Sequence, residues 1–176
     1  MLHANQVFLR ALEPEDLEFL YALENDPAVW GVSDTLAPMS RHVLRQYLAH
    51  AAADFFEVRQ LRLVIGLVAT QEAVGIVDIF GFEPLHQRAG VGITILGQYR
   101  RSGYARAALA LLGNYARQTL RLHQLHCTVA ADNQPSLHLF QAAGFSRVGV
   151  RKQWLRTASG WLDAVEMQCI LAEPNA

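Results

Sequence analysis

Apolar positions along this chain switch between two rhythms, and the switches divide it into elements. Residues 6–10 alternate as a short first strand. Pro14 then opens a helical stretch that carries Leu17, Leu20, Tyr21 and Leu23 on one side and stops near Asn25-Asp26-Pro27. Residues 30–38 are rich in turn formers and read as a loop. Val43, Leu44, Tyr47 and Leu48 recur at helical spacing, which predicts a second helix over roughly 40–55 with Ser40 as its cap. Residues 61–69 and 74–82 are dense in Val, Ile and Leu, and the turn Thr70-Gln71-Glu72 joins them as a hairpin. Glu83-Pro84-Leu85-His86 interrupts the run before a strand at 89–96. The helical rhythm returns over 103–120, where Ala105, Ala108, Leu109, Leu112, Tyr115 and Ala116 share a face. After a strand at 124–130, Asp132 or Asn133 caps a short helix with Pro135 in its first turn and Gly144 at its stop. Two closing strands, at 145–155 and 161–171, flank a turn at Ala158-Ser159-Gly160. Seven strands with four helices between some of them, in a mostly antiparallel set, describe an α+β domain.

Composition narrows the class. The 176 residues are 52% hydrophobic and 18% charged, which fits one well-packed globular domain over 1–176, with no repeat, low-complexity tract or linker. The net charge of −1 speaks against general nucleic-acid affinity. No apolar run approaches a membrane span, and no basic-then-apolar leader opens the chain, so a cytoplasmic protein is expected. Cys127 and Cys169, far apart in strand-like runs, read as buried thiols of a reducing compartment.

The chemistry concentrates around residues 91–116. The apolar run Val91-Gly92-Ile93-Thr94-Ile95-Leu96 is followed by Arg100-Arg101-Ser102-Gly103-Tyr104-Ala105 and then by the helical face. A strand that turns sharply into a helix leaves several backbone N–H groups unpaired and aimed one way, and the helix dipole adds positive character there. Such a turn suits a phosphate or pyrophosphate. Gly103 permits a conformation and an approach that a side chain would hinder. Arg100, Arg101 and Arg106 are disfavoured by the dipole unless an anion joins them. An ordinary buried strand with solvated arginines at a helix start satisfies the same pattern.

A resemblance separates the two readings. The hexapeptide 100–105 resembles the pyrophosphate loop, Arg/Gln-x-x-Gly-x-Gly/Ala, of the GCN5-related N-acetyltransferases (GNAT family). The segment from Asn133 to Phe145 resembles that family's second acetyl-CoA segment, Asn-x-x-Ser-x-x-Leu-Tyr-x-x-x-Gly-Phe, in the family's order and at about its separation. The opening Leu9-Arg10-Ala11-Leu12 through Leu17 and the stretches His86 to Ile93 and Gly160 to Asp163 extend the likeness to nearly the whole chain. The nearest branch resembles the bacterial spermidine and ribosomal-protein acetyltransferases.

The resemblance implies a GNAT-like mixed sheet in which two neighbouring parallel strands, here 89–96 and 124–130, splay apart around the pantetheine arm of acetyl-CoA, the co-substrate. Thr94, Ile95 and Leu96 would offer backbone groups to the pantetheine amides and the thioester oxygen. Arg101, Ser102, Gly103, Tyr104, Ala105 and Arg106 would receive the pyrophosphate. Asn133 would hold the pantetheine, while Ser136 and Phe140 share the helix face beside it. The family usually has Tyr where this chain has Phe140, and that Tyr is thought to protonate the departing thiolate. Phe140 has no proton to give, which leaves Ser136 or a water. A thiolate from a thiol of pKa about 8.5 is already a tolerable leaving group.

For the base the candidates are Asp78, Glu83 and a water relay: Asp78 stands out as a carboxylate inside Ile76-Val77-Asp78-Ile79, and Glu83 ends the same strand beside an expected cleft mouth. Either also reads as a plain strand-face or loop carboxylate. The seven histidines do not form a metal set: His123 and His126 sit three apart on a strand and its approach, and neither Cys-x-x-Cys nor His-Glu-x-x-His occurs. No metal is expected. Nor is a Gly-x-x-x-x-Gly-Lys loop present. The expected activity is acetyl transfer to a primary amine by direct attack. Polyamines, small amine metabolites and protein N-termini are all admitted as acceptors. Gly90 stands where the spermidine branch carries Glu, and residues 30–40 offer only Asp34, which weighs against a polyamine. A silent CoA-binding sensor or scaffold is the alternative from another class, and a binder of some other phosphate ligand is a third. Self-association through the strand edge near the C-terminus completes the partner expectations.

Overall fold

The computed structural model describes residues 2–30, 37–51 and 55–171. Strands β1 (Leu2–His3) and β2 (Val7–Arg10) lead, after a single turn, into α1 (Leu17–Glu24) and α2 (Pro27–Trp30). Then come α3 (Arg41–Ala49), α4 (Phe55–Val58), β3 (Leu61–Leu67), β4 (Ala73–Glu83) and β5 (Arg88–Ile95). The chain closes with α5 (Tyr104–Gln118), β6 (Gln124–Ala130), α6 (Gln134–Ala142), β7 (Ser146–Thr157) and β8 (Gly160–Ile170). All eight strands join one sheet in the order β1-β2-β3-β4-β5-β6-β8-β7. Every neighbouring pair is antiparallel except β5 with β6.

The expected α+β architecture is present, with differences of detail, among them the short helix α2 beyond the expected stop near Asp26-Pro27. The eighth strand is β1, whose two residues are too few to show alternation. The helix predicted over 40–55 ends at Ala49, and a separate short helix begins at Phe55. Most of the loop expected at 30–38, with Asp34, lies outside the described residues, as do 52–54. Ser40 caps α3 as its sequence position implies, its hydroxyl accepting from the Val43 N–H at 3.2 Å.

Alternation along the strands sorts the sheet into two faces. On one, Val77, Ile79, Val91, Leu125, Cys127 and Val129 pack with Ala108, Leu109, Leu112 and Ala116 of α5 and with Phe140 of α6. On the other, Ile76 packs with Leu20 and Leu23 of α1 and Leu44 of α3. Each fully buried Val, Leu or Ile contributes about 1.5–3 kcal/mol, so the α5 face anchors the sheet. Cys127 belongs to that face, and burial pushes its thiol up to about 12. Cys169 is only half-buried. Among the described residues, no helix is long and apolar enough to cross a membrane.

Candidate active site

The sheet has one opening, between its two parallel strands. β5 and β6 pair only at Arg88↔Gln124, Ala89↔Leu125 and Gly90↔His126, although β5 runs on to Ile95 and β6 to Ala130. β6 stays paired with β8 along its whole length, and β5 stays paired with β4. The two strands therefore part beyond Gly90 and His126, and a cleft of about 560 Å³ opens there.

Ladder geometry decides which backbone groups look into that gap. In an antiparallel pair, each residue turns both its N–H and C=O either toward the partner or away from it, in alternation. The Leu96 N–H donates to the Val74 carbonyl at 2.9 Å. Leu96, Thr94 and Gly92 thus face β4, while Val91, Ile93 and Ile95 face the gap. On the other side the Ala131 N–H donates to the Asp163 carbonyl at 3.0 Å, and the Leu171 N–H to the His123 carbonyl at 2.8 Å. By the same alternation Thr128 and Ala130 face the gap. This corrects the expectation for Thr94, Ile95 and Leu96. Sheet hydrogen bonding takes the backbone groups of Thr94 and the Leu96 N–H, and the Leu96 carbonyl accepts from the Tyr99 N–H at 2.9 Å; the Ile95 N–H remains, and Ile93 joins it. The Thr94 residue still lines the cleft.

Beyond β5 the chain turns into α5 through Gly103, whose φ of 81° is left-handed. A Cβ at Gly103 would meet nothing within 4 Å, so the demand there is conformational, not steric. No side chain caps α5, and its ladder begins with the Ala107 N–H on the Gly103 carbonyl at 3.1 Å. The N–H groups of Tyr104, Ala105 and Arg106 precede that first bond and form the positive end of a 15-residue helix. Arg101, Ser102 and Arg106 are exposed around it. Arg100 differs: its Nε donates to the Ile95 carbonyl at 2.9 Å, tying the turn to the strand it leaves.

α6 closes the cleft from the same side. Asn133, not Asp132, is its cap, accepting from the Ser136 N–H at 3.2 Å while its own N–H donates to the Ala130 carbonyl at 2.9 Å. Asn133, Ser136 and Phe140 all line the cleft. Phe140 is 5% exposed, and its ring meets Phe145 edge-on at 5.1 Å.

The opposite part of the cleft is built from side chains. Arg62, Asp78 and Gly92 stand in register across β3, β4 and β5. Arg62 Nε donates to Asp78 Oδ1 at 2.7 Å, and its Nη1 donates to Glu24 Oε1 of α1 at 2.7 Å. Burial opposes the Arg62 charge, but Asp78 and Glu24 outweigh it and hold its pKa above the ordinary value. One cation between two carboxylates leaves this wall with a net charge of −1. Asp78 does face the cleft, but with a partner that the apolar run did not advertise. Glu83 is not brought in. A bulge at Gly81, with φ of 58°, shifts the register, and Glu83 pairs with Arg88 at 2.9 Å where β5 and β6 are still closed.

Across the gap, His126 lines the cleft on β6. Beside it Thr128 donates to Glu166 at 2.9 Å, and Glu166 is paired with Arg151 at 2.8 Å. β7 bulges between Arg151 and Leu155, where Asp163 takes the Gln153 N–H at 2.9 Å and the Lys152 ammonium at 2.8 Å. The bulge turns Trp154 toward the cleft. Glu24, Arg62, His126 and Trp154 were not among the expected site residues. Arg62, a charge within Leu61-Arg62-Leu63-Val64-Ile65, carried the same signal as Asp78.

A model of the acetyltransferase (GNAT) domain matches residues 6–146, well over half of the chain. Spermidine N(1)-acetyltransferase of Vibrio cholerae serotype O1 is 24% identical over 155 residues, covering 82% of each chain. The Escherichia coli K12 spermidine N(1)-acetyltransferase is 27% identical over 160 residues, covering 85% of this chain and 77% of that one. Among solved structures, the V. cholerae spermidine N-acetyltransferase in complex with CoA and spermine superposes with a TM-score of 0.86 at 24% identity, over 96% of this chain and 97% of that one. A dodecameric structure of the V. cholerae enzyme superposes with a TM-score of 0.79, also at 24% identity, over 96% and 95% of the two chains.

Proposed function

We propose that this chain, which belongs to the acetyltransferase (GNAT) family and is an N-acetyltransferase, takes the acetyl group from acetyl-CoA and delivers it to a small primary amine by direct attack. All 176 residues serve as one catalytic domain in this reading, because one sheet runs from residue 2 to residue 170. The observation that carries it is the parting of β5 and β6 immediately before the uncapped, glycine-turned start of α5. A flexible arm that carries amides needs an extended slot with free backbone partners, and a pyrophosphate needs converging N–H donors. The first is offered by Ile93, Ile95 and Thr128, the second by residues 101–106.

The N–H groups of Tyr104, Ala105 and Arg106, with Ser102 and the Arg101 and Arg106 guanidiniums, take the pyrophosphate. Asn133, Ser136 and Phe140 flank the arm, with Phe140 as an apolar wall. The amine nitrogen attacks the thioester carbonyl, and a gap-facing N–H of β5 supports the oxyanion, an effect worth about 3–4 kcal/mol per donor in other systems. The −1 charge of Glu24, Arg62 and Asp78 attracts a cationic acceptor. Gly90 fits that reading without a glutamate: a Cβ there collides with the Phe80 ring, so Phe80 occupies the space where a longer residue would sit. The free edge of β7, with Val148 and Val150 exposed, supports self-association in the same reading, and a monomeric mass in solution removes it.

The test follows free thiol release from acetyl-CoA against polyamines, monoamines, amino acids and N-terminal peptides, with CoA binding measured by calorimetry. Turnover on small cationic amines supports the reading. CoA binding without turnover on any amine favours a silent sensor, which Phe140 keeps in view. No CoA binding sinks both.

A further inference from the structure

Among the described residues, every acid–base group of the cleft but one is already committed. Asp78 and Glu24 both grip Arg62, and Glu83 lies outside the cleft on Arg88. Burial holds Cys127 protonated. The exception is His126. It lines the cleft, it is the last β6 residue paired with β5 before the strands part, and among the described residues its ring makes no hydrogen bond.

Directly across from it is Gly90, over which the Phe80 ring of β4 lies, and two residues further along β5 is Gly92, so β5 itself places no side chain on this face beside His126. His126 shares that face with Asp78, because Gly90 and Gly92 sit opposite Phe80 and Asp78. We infer that His126 is the general base of the transfer, receiving the proton of the amine nitrogen as the new C–N bond forms. The inference rests on the acetyl-transfer reading above.

The step starts from the neutral form of the attacking amine, its ammonium proton already released to water, and then balances without any other group. The nitrogen lone pair attacks the carbonyl carbon, and the carbonyl π pair moves onto oxygen. The N–H proton passes to the imidazole as the nitrogen becomes acidic. The oxyanion then re-forms the carbonyl, and the C–S bond breaks with its electron pair on sulfur. The imidazolium releases its proton to water, and the thiolate takes one from water. A thiolate leaving group explains why Phe140 is tolerated.

The groups that act on the His126 ring come from every strand around it: Glu166 of β8 and Glu83 of β4 favour its charge, while Arg88 of β5 and Arg151 of β7 oppose it. Burial exceeds them all and lowers its pKa below the ordinary 6.5. The ring is therefore neutral, and able to accept a proton, at neutral pH.

The experiment measures kcat and kcat/KM against pH for the wild type, His126→Gln and His126→Ala, with CoA affinity and thermal unfolding on the same samples. Expected are unchanged CoA affinity, a fall in kcat of about 100-fold, loss of the acid limb below pH 6.5, and partial rescue of His126→Ala by added imidazole. A structural role would not be rescued. An acid limb and kcat unchanged in His126→Gln overturn the inference while acetyl transfer stands. If the wild type acetylates no amine, the transfer reading fails and takes the base with it. NMR titration of the His126 ring needs no acceptor, and a ring that stays cationic well above neutral pH overturns the inference by itself.

Discussion

The two walls of the cleft are made of different material. The wall toward α5 is backbone: a strand edge turned loose from its neighbour, a left-handed glycine and the first N–H groups of a long helix. The wall toward α1 is side chain: an arginine on β3 held by a carboxylate from β4 and another from α1, with a histidine on β6 and a tryptophan on a bulge of β7 completing it. A backbone wall recognises what its ligand's spine presents, and any sequence that makes the turn can build it. A side-chain wall recognises charge and shape, and changes whenever one residue does. Of the two, the first suits the common donor and the second the particular acceptor.

The sharpest way to break this division is to remove Arg62. Arg62→Met leaves Glu24 and Asp78 close together and mostly buried, with side chains 8% and 15% exposed and no cation between them. Breaking a buried pair by deleting one partner costs about 3–5 kcal/mol. Denaturant unfolding at pH 7 should show a loss of that size. CoA affinity, which the proposed function sets on the other wall, should stay within about twofold of wild type. A stability loss below about 1 kcal/mol, or a large loss of CoA affinity in the folded variant, would dissolve the division.

The converse variant strikes the backbone wall. Gly103→Val forces a β-branched residue to a φ of 81°, at a cost of about 1–3 kcal/mol, or else flattens the turn. Either way the N–H groups at the start of α5 lose their aim. Losing one or two charge-assisted hydrogen bonds of about 1.5–3 kcal/mol each lowers CoA affinity by at least about tenfold. The KM for the amine at saturating acetyl-CoA should barely move. Gly103→Asn is the control, since Asn tolerates the left-handed region. Full CoA affinity in Gly103→Val would show that the turn is not where the anion sits.

The same contrast governs what was legible in the sequence. The strand, the turn and α5 lie within one run of residues 91–118, so alternation, a glycine and a helical face were enough to expect an anion site there. Seven of the eight strands showed the same way, each announcing itself by its own residues. The acceptor wall had no such run. Glu24, Arg62, Asp78, His126 and Trp154 meet only because β3, β4, β5 and β6 are neighbours in the sheet and a bulge swings Trp154 round. Asp78 stands out as a charge in an apolar strand, and so does Arg62, but nothing local to either residue pairs them. Cross-strand register is a long-range fact. The same limit explains Thr94 and Leu96: which backbone groups a strand spends on its neighbour depends on register, and no local pattern reports it.

The smallest expected effect comes from sharpening the contact between the two walls at Phe140. Its ring is 5% exposed, packed edge-on against Phe145 at 5.1 Å, and still reaches the cleft. Phe140→Tyr adds one hydroxyl to the wall that the proposed function sets beside the departing sulfur, and leaves both the α5 turn and the Arg62 cluster untouched. A general acid can be worth about 10²–10⁴-fold where the leaving group needs it. A thiolate of pKa about 8.5 needs it little, so kcat should rise by less than about tenfold. CoA affinity should not change, and unfolding should shift by no more than about 1 kcal/mol for a hydroxyl that reaches the open cleft. A rise well beyond tenfold would mean that expulsion of sulfur limits the native enzyme. A fall in kcat with a clear loss of stability would mean that the new hydroxyl is buried against Phe145, and that α6 offers the cleft only a hydrophobic wall.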